Sequence, residues 1–202
     1  GFLTRDGESR RYQPSRRLRD LGAGLLSHTR MHIARRQILL EVSREVGETV
    51  NFAVPEDDGM SYVDRVETDW AFRIQLPIGT RVPFHCTASG KCFLSSLAPR
   101  QRRALVASLT LGAMTANTHT TADGLLADLD RIGARGFSLD EEEFMDGMVA
   151  VSVPVRNASG MFVAALACHG PTQRFSIDQA IAHKGVLQQA ASRLTDVLFS
   201  NG

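Results

Sequence analysis

The chain has 202 residues, of which 43% are hydrophobic and 6% aromatic, and its formal net charge is +1. This composition predicts a globular core and excludes an extended disordered chain. The apolar runs are short and interrupted by charge, so no membrane span is predicted. Cys86, Cys92 and Cys168 form no disulfide-scaffold pattern, which favours a reducing cytoplasm. No secretory signal opens the chain, and Gly1 indicates that the true start of the protein lies upstream.

Positive charge is concentrated at the start of the chain. Residues 1–44 carry ten arginines against four acidic residues, an excess of six, so the rest of the chain has a net charge of −5. A basic front on a mildly acidic body suggests proximity to phosphates, while a solvated helix surface is the simpler interpretation of the charge alone.

The first 47 residues predict a hairpin followed by two helices. Asp6-Gly7 is a turn signal between two short strand-like pieces. After Pro14-Ser15 an apolar stripe with helical spacing predicts a helix over residues 15–30. A second stripe predicts another helix over 33–46, which Gly47 ends.

The apolar period then changes from helical to two, which predicts β structure. Three strands are expected, at 50–54, 62–66 and 70–76, with a turn at 55–59 between the first two. Further elements are predicted in chain order: helices at 87–97, 99–109 and about 125–135, a loop at 110–120, strands at 137–139, 149–155 and 161–168, and a helix from the capping box at Ser176 to about residue 199. The sum is an α+β fold with an antiparallel sheet of five or six strands.

The segment 79–91 is the first candidate site, because small residues stand where a loop becomes a helix. Unpaired amides at a helix start, lined by Ala88, Ser89 and Gly90, can bind a carboxylate or phosphate. Gly90 would permit close approach of a ligand, and Ser89 could add a hydroxyl donor. A tight turn with Thr87 as the N-cap residue explains the same sequence without any ligand.

The acidic run Asp140 to Glu143 is the second candidate. Four successive carboxylates cannot all be buried as ions, so most must face water, while one could point into a site. Paired acids could do acid–base chemistry or bind Mg²⁺, and a solvated acidic loop is the simpler interpretation.

Two His–Cys pairs, His85-Cys86 and Cys168-His169, could together form a zinc site. Neighbouring residues on a strand point to opposite faces, however, which disfavours a shared metal, and no metal is predicted. The other histidines, including His119 and His183, show no metal-like spacing and are interpreted as surface or interface residues. All three cysteines are expected to be small, buried and inert.

Several of these motifs together resemble the effector domain of the IclR (isocitrate lyase regulator) family of bacterial transcription regulators. The matching blocks agree in order and approximate spacing across about residues 20–200, and they are 85–94, 136–142 with Gly147, 151–156 with Gly160, and Gly170-Pro171. The first residues resemble the last wing of the family's winged helix-turn-helix. The resemblance therefore divides the chain into a wing remnant (1–14), a linker helix (15–31) and an effector-binding and oligomerising domain (32–202).

The resemblance implies a GAF/profilin-like fold, in which a curved antiparallel sheet of five to six strands holds a small ligand. Family ligands are typically small carboxylates or aromatic compounds, and no cofactor is implied. The ligand-binding positions carried over are Ala88, Ser89, Asp140, Ala150, Ala167 and His169, with Gly90 beside them and Ile74 and Leu76 as an apolar wall. A homodimer or homotetramer is expected, with DNA contacts made only by a domain absent from this chain, and no contact with a membrane.

Three pocket positions depart from relatives that bind very small hydroxy or keto acids. Those relatives tend to have hydroxyl or thiol side chains where this chain has Ala150, Ala167 and His169. Two alanines remove donors and enlarge the pocket, and the imidazole could pair with a carboxylate or stack. A larger or more apolar acid, such as an aromatic one, is therefore expected.

Two other functions compete with a ligand sensor. A GAF-type thiol enzyme would use one of the three cysteines, and a pure oligomerisation module would bind no small molecule. The basic start of the chain and the lack of a nucleophile paired with a base favour a cytoplasmic, non-enzymatic sensor. In that interpretation the ligand shifts the population between two arrangements of the protein.

Overall fold

The computed structural model describes residues 1–5 and 12–199. They divide into two compact units between Arg35 and Arg36. In the first unit, β1 (Leu3–Arg5) pairs with β2 (Tyr12–Pro14) in antiparallel register. This pairing confirms the two strands of the predicted hairpin. The predicted turn at Asp6-Gly7 lies outside the described residues.

One helix, α1, runs from Arg16 to Val46 and crosses the boundary between the two units. The prediction of two helices, 15–30 and 33–46, is wrong, because residues 30–33 contain no proline or glycine that would stop a helix. The predicted end is confirmed. Gly47 adopts a φ of 76°, a conformation that favours glycine, and its amide donates to the carbonyl of Ser43 at 2.9 Å.

The second unit contains a curled six-stranded antiparallel sheet, which confirms the predicted α+β fold. The strands are β3 (Thr49–Pro55), β4 (Met60–Val66), β5 (Arg81–Val82), β6 (Ser138–Glu141), β7 (Met148–Arg156) and β8 (Phe162–Pro171). Their order across the sheet is β5-β4-β3-β8-β7-β6. Irregularities between Phe52 and Ala53 and between Val155 and Arg156 interrupt the register, and such bulges bend a sheet.

The predicted strand at 70–76 does not form, although its apolar residues alternate. Arginine side chains occupy its backbone acceptors: Arg65 Nη2 donates to the Ile74 carbonyl at 2.5 Å, and Arg174 Nη1 donates to the Phe72 carbonyl at 2.8 Å. Arg174 also forms a two-point ion pair with buried Glu48 and lies over the Trp70 ring. These arginines bind carbonyls of a segment that forms no strand, and the edge strand is instead β5.

Helices cover both faces of the sheet. The last part of α1, residues 38–46, packs on one face together with α5 (Ile177–Ala182) and α6 (Lys184–Phe199), while α2 (Ala88–Ser96), α3 (Pro99–Ser108) and α4 (Ala122–Arg135) pack on the other. The predicted last helix is thus two helices, which meet at His183. Among the described residues, no helix has the length and apolarity needed to cross a membrane.

The period of two along β8 assigns its side chains to the two faces. Leu166 and Cys168 belong to the core under α1 and α6, whereas Ala165 belongs to the core under α2 and α4. Ala167 and His169 therefore lie on the α2 side, near the start of that helix.

Candidate functional site

A small pocket lies between the sheet and the start of α2, and six of the nine residues predicted to bind a ligand line it. They are Ala88, Ser89, Asp140, Ala150, Ala167 and His169. Strand pairing brings three of them together, because Ala150 stands opposite both Asp140 on β6 and His169 on β8. The pocket is completed by Asn51, Tyr62, Thr87, Phe144 and Met148.

The other three predicted residues do not line this pocket. A Cβ atom on Gly90 would lie 2.4 Å from the Phe84 carbonyl oxygen, so this glycine permits α2 to pack on the backbone of Phe84. Leu76 packs against the apolar core under α2. Ile74 is close to the site only through its carbonyl, the acceptor of the Arg65 guanidinium.

The start of α2 presents unpaired backbone donors to the pocket. Thr87 is the N-cap residue, as predicted, and its hydroxyl accepts a hydrogen bond from the Gly90 amide at 3.1 Å. The amides of Ala88 and Ser89 precede the first helical acceptor, so they have no partner within the helix. Because the helix dipole adds partial positive charge here, the geometry suits an anionic group.

The orientation of His169 follows from a chain of hydrogen bonds across the sheet. Arg65 Nη1 donates to Asn51 Oδ1 at 2.8 Å, which turns the Asn51 amide so that Nδ2 donates to His169 Nδ1 at 3.0 Å. The proton of the neutral ring is therefore on Nε2. This Nε2 is buried and makes no hydrogen bond of normal geometry, although the Ile74 carbonyl lies close enough to the ring to oppose part of the fall in its pKa.

Burial, reinforced by the positive charge of Arg65, lowers the pKa of His169 to about 3, so the ring is neutral at physiological pH. Asp140 is the second buried group with an unused atom. Its Oδ1 accepts from the amides of Glu143 (2.8 Å) and Phe144 (3.3 Å), while Oδ2 has no partner. Burial raises the pKa of this carboxyl to about 7, even though those two hydrogen bonds oppose the shift.

We expect His169→Gln to flatten the pH dependence of the free energy of unfolding. The folded protein keeps the ring neutral, whereas the unfolded chain takes up a proton below the ordinary pKa of 6.5. The contribution of the neutral ring is fully present above that pH and is lost as pH falls, by about 2 kcal/mol at pH 5. Urea unfolding at pH 7 and pH 5 measures the difference, and an equal loss in both proteins contradicts this assignment.

The pocket is nearly filled by its own side chains. Its cavity volume is about 10 Å³, roughly what one water molecule requires. A larger cavity of about 580 Å³ lies between the turn at Asp57-Asp58 and the segment around Ser108. Among the described residues, no buried polar atom that lacks a hydrogen bond belongs to its lining. The smaller pocket is therefore the better candidate for a binding site, because two unpaired buried polar atoms line it.

The acidic run divides between the protein interior and the surface. Asp140 and Glu143 are buried, Glu142 is partly buried and Glu141 is exposed. Glu142 has a φ of 60° and accepts a hydrogen bond from the Gly147 amide at 2.7 Å. Glu143 meets the ammonium group of Lys91, which also binds Asp128 at 2.8 Å. The run thus buries two of its four carboxyls, those of Asp140 and Glu143, whereas a solvated loop would expose all four.

The cysteines carry no sign of reactivity. All three are buried and free, and burial raises the pKa of Cys86 and of Cys92 to about 12 and also raises the pKa of Cys168. Within residues 1–5 and 12–199, neither His–Cys pair belongs to a cluster of metal ligands. His85 instead bonds the Gly112 carbonyl at 2.9 Å.

Sequence reasoning missed Asn51 and Arg65, the two residues that set the ring orientation of His169. One signal was present, because Asn51 lies between apolar Val50 and Phe52 on a strand of period two and so faces the other side. Its partner across the sheet could not be read from the sequence.

The chain matches the family model described as bacterial transcriptional regulator IclR C-terminal over residues 23–196. It therefore belongs to the IclR family of bacterial transcriptional regulators and corresponds to their C-terminal domain. This result confirms the resemblance inferred from the sequence motifs.

Individual relatives agree with this assignment. The probable transcriptional regulator SauR of Cupriavidus necator is 38% identical over 193 residues, which cover 96% of this chain and 77% of SauR. A transcriptional regulator from Rhodococcus sp. RHA1 has a TM-score of 0.81 at 26% identity, covering 99% of this chain and 81% of its own. The inducer-binding domain of PobR from Acinetobacter, solved as a double mutant in complex with 3-hydroxybenzoic acid, has a TM-score of 0.73 at 27% identity, covering 79% and 94%.

Proposed function

We propose that this domain senses a small organic carboxylate, aliphatic or aromatic, in the pocket between α2 and the sheet. One observation carries the proposal: a helix start with free amides and two buried polar atoms without partners, His169 Nε2 and Asp140 Oδ2, converge on the same pocket. Buried polar groups are nearly always hydrogen-bonded in folded proteins, so these unpaired atoms indicate that a water or a ligand binds there.

The polar groups suggest how a ligand would be oriented. The ligand carboxylate accepts from the amides of Ala88 and Ser89 and from the Nε2 proton of His169. Asp140 Oδ2 then meets a polar substituent elsewhere on the ligand. The fixed neutral form of His169 suits this role, because the ring donates without bringing a second buried charge.

The apolar lining argues for a carbon skeleton larger than that of the smallest keto acids. Ala150 and Ala167 occupy little volume and offer no donor, while Phe144 and Met148 supply flat or flexible apolar surface. PobR, whose domain was solved with 3-hydroxybenzoic acid, is a neighbour consistent with an aromatic acid. Because the cavity is now about 10 Å³, the ligand enters only when side chains such as Phe144 move.

This movement is the proposed signal. A ligand that binds only an opened pocket shifts the protein toward that arrangement by its difference in affinity for the two states. The uninterrupted helix α1, which spans both units, would carry the shift toward a DNA-binding domain that precedes this segment. We propose a homodimer or homotetramer as the assembled form, matched to symmetric operators.

An enzymatic role for the thiols is the second candidate function. The environment of the three cysteines disfavours it. A nucleophilic cysteine needs a lowered pKa, whereas burial raises the pKa of each of the three thiols. We therefore propose that the domain is not an enzyme.

The first experiment is a thermal-shift screen with aliphatic and aromatic carboxylates, with and without a chelator. A ligand that binds only the folded state raises the melting temperature as its concentration exceeds its Kd. For the acid with the largest shift, we expect His169→Phe to weaken binding roughly 10- to 100-fold in calorimetry, because it removes a hydrogen bond to a charged group. Arg81→Met, at an exposed side chain outside this pocket, is the control and should bind as the wild type does.

Three results would contradict the proposal. A flat response to every acid, from a stable oligomer, would favour the oligomerisation module. Equal affinity in His169→Phe would place the ligand elsewhere. If Ala150→Ser and Ala167→Ser leave the preference among acids unchanged, the inference about ligand size is wrong.

A further inference from the structure

A second cluster of side chains lies on the far side of the turn that follows β6. His119 Nε2 is 3.6 Å from Asp128 Oδ2 and 3.9 Å from Glu143 Oε2. One ligand atom from each residue lies within 4.8 Å of the others. Zinc bonds of about 2.0–2.2 Å in a tetrahedron place ligand atoms roughly 3.4 Å apart. The two distances from His119 Nε2 exceed this spacing by a few tenths of an ångström, and the two carboxylate oxygens lie within 4.8 Å of each other.

One of these atoms is buried without a partner. The side chain of Glu143 is 8% exposed, and while its Oε1 binds Lys91, its Oε2 makes no hydrogen bond. An unpaired buried carboxylate oxygen is costly unless a cation or donor reaches it. His119 faces this oxygen, and its side chain is 26% exposed, which leaves a path from solvent.

The buried positive charge of the cluster does not fully compensate its buried negative charge, so another cation could bind. Two buried carboxylates share a single buried ammonium, that of Lys91. Arg131 also reaches Asp128, through Oδ1 at 3.0 Å, but its side chain is 64% exposed and compensates a buried charge poorly. Lys91 occupies Glu143 Oε1, which leaves Oε2 unbonded, while Asp128 Oδ2 would have to be shared between the lysine and the ion.

Hydrogen bonds hold the ligands in place in advance. Thr118, next to His119, donates to the Glu143 carbonyl at 2.6 Å, and Thr115 donates to the Glu142 carbonyl at 2.6 Å. The loop that carries His119 is thereby fastened to the turn that carries Glu143. A cavity of about 340 Å³ borders the three ligands and would give the ion an entry route.

We propose that His119, Asp128 and Glu143 bind one Zn²⁺ or a similar first-row divalent cation, with the fourth position open to solvent. One nitrogen and two carboxylate oxygens suit this class of metal. The site is separate from the ligand pocket, and its existence does not depend on the function proposed for that pocket.

Titration of the chelator-stripped chain with Zn²⁺ alone tests the site. We expect one saturable site per chain, and His119→Gln should weaken it at least about tenfold, since even indirect partners of a metal contribute that much. His183→Gln is the matched control, because it removes a partly exposed imidazole that stacks on Phe175 far along the chain. The wild type loaded with Co²⁺ should show the intense visible absorption of tetrahedral cobalt.

Either of two outcomes would overturn the proposal. Absence of saturable Zn²⁺ binding by the wild type would show that the cluster is only a network of ion pairs. Equal binding by the wild type and His119→Gln would show that zinc binds elsewhere. No organic ligand is used, so failure here is distinguishable from failure of the carboxylate sensor.

Discussion

Lys91→Met is expected to lower the free energy of unfolding by about 3–5 kcal/mol, which is typical when one partner of a buried ion pair is removed. Lys91 is 1% exposed, and its ammonium is bonded to Asp128 and Glu143, whose side chains are 9% and 8% exposed. Methionine fills similar volume, so packing changes little. The loss arises because two carboxylates remain buried without their shared counter-charge.

Urea unfolding at pH 7, followed by far-ultraviolet circular dichroism, measures this effect. Arg81→Met is the control, since Arg81 pairs with Glu56 and Asp58 at a side chain that is 59% exposed. Exposed pairs contribute about 0–1 kcal/mol, so the control should stay close to the wild type. A loss below about 1 kcal/mol for Lys91→Met would mean that His119 or Arg131 replaces the ammonium.

Gly90→Ala should destabilise the protein by about 3 kcal/mol or more, at the upper end of overpacking effects. The added Cβ atom would lie 2.4 Å from the carbonyl oxygen and 2.5 Å from the Cα of Phe84, both backbone atoms that cannot rotate away. Relief requires α2 to move off Phe84. Because that helix start also forms one wall of the pocket, any carboxylate affinity should fall as well.

Gly133→Ala is the matched control for this substitution. Gly133 also lies in a helix, α4, but a Cβ atom there meets nothing within 4 Å. Alanine in an open helical position should raise the free energy of unfolding by about 1 kcal/mol. Equal effects at the two glycines would contradict the close approach of α2 to Phe84.

Local patterns predicted most of the elements. The strict alternation of valines gave β7, the change of period after Gly47 gave β3 and β4, and the Thr87 cap gave the start of α2. Each of these signals lies within a few residues of the feature it specifies. Local sequence information was therefore sufficient to predict these elements.

The predictions that are wrong have two different causes, a partner distant in sequence and a boundary without a local signal. The segment 70–76 alternates as a strand does, yet Arg174, 102 residues after Phe72, binds one of its carbonyls. Nothing in the alternation reveals such a contact. The boundary placed between two helices near residue 31 had no stop signal to support it, and α1 continues through it.

In the candidate pocket, too, local motifs predicted some residues and could not predict those contributed by distant strands. Motifs that resemble the family placed six residues around one cavity, because short blocks of sequence fix the start of α2 and the ends of β6, β7 and β8. The residues that set its electrostatics, Asn51 and Arg65, come from other strands. The pairing of Lys91 with Glu143 spans 52 residues and likewise could not be inferred.

The turn after β6 belongs to both clusters described above. Asp140 lines the pocket, Glu143 binds Lys91, and the Glu143 amide donates to Asp140 Oδ1 at 2.8 Å. Because this hydrogen bond joins the two residues, we expect an occupant that displaces one carboxyl to shift the other. Thermodynamic reciprocity then requires equal factors: whatever change in affinity the first occupant causes for the second, the second causes for the first.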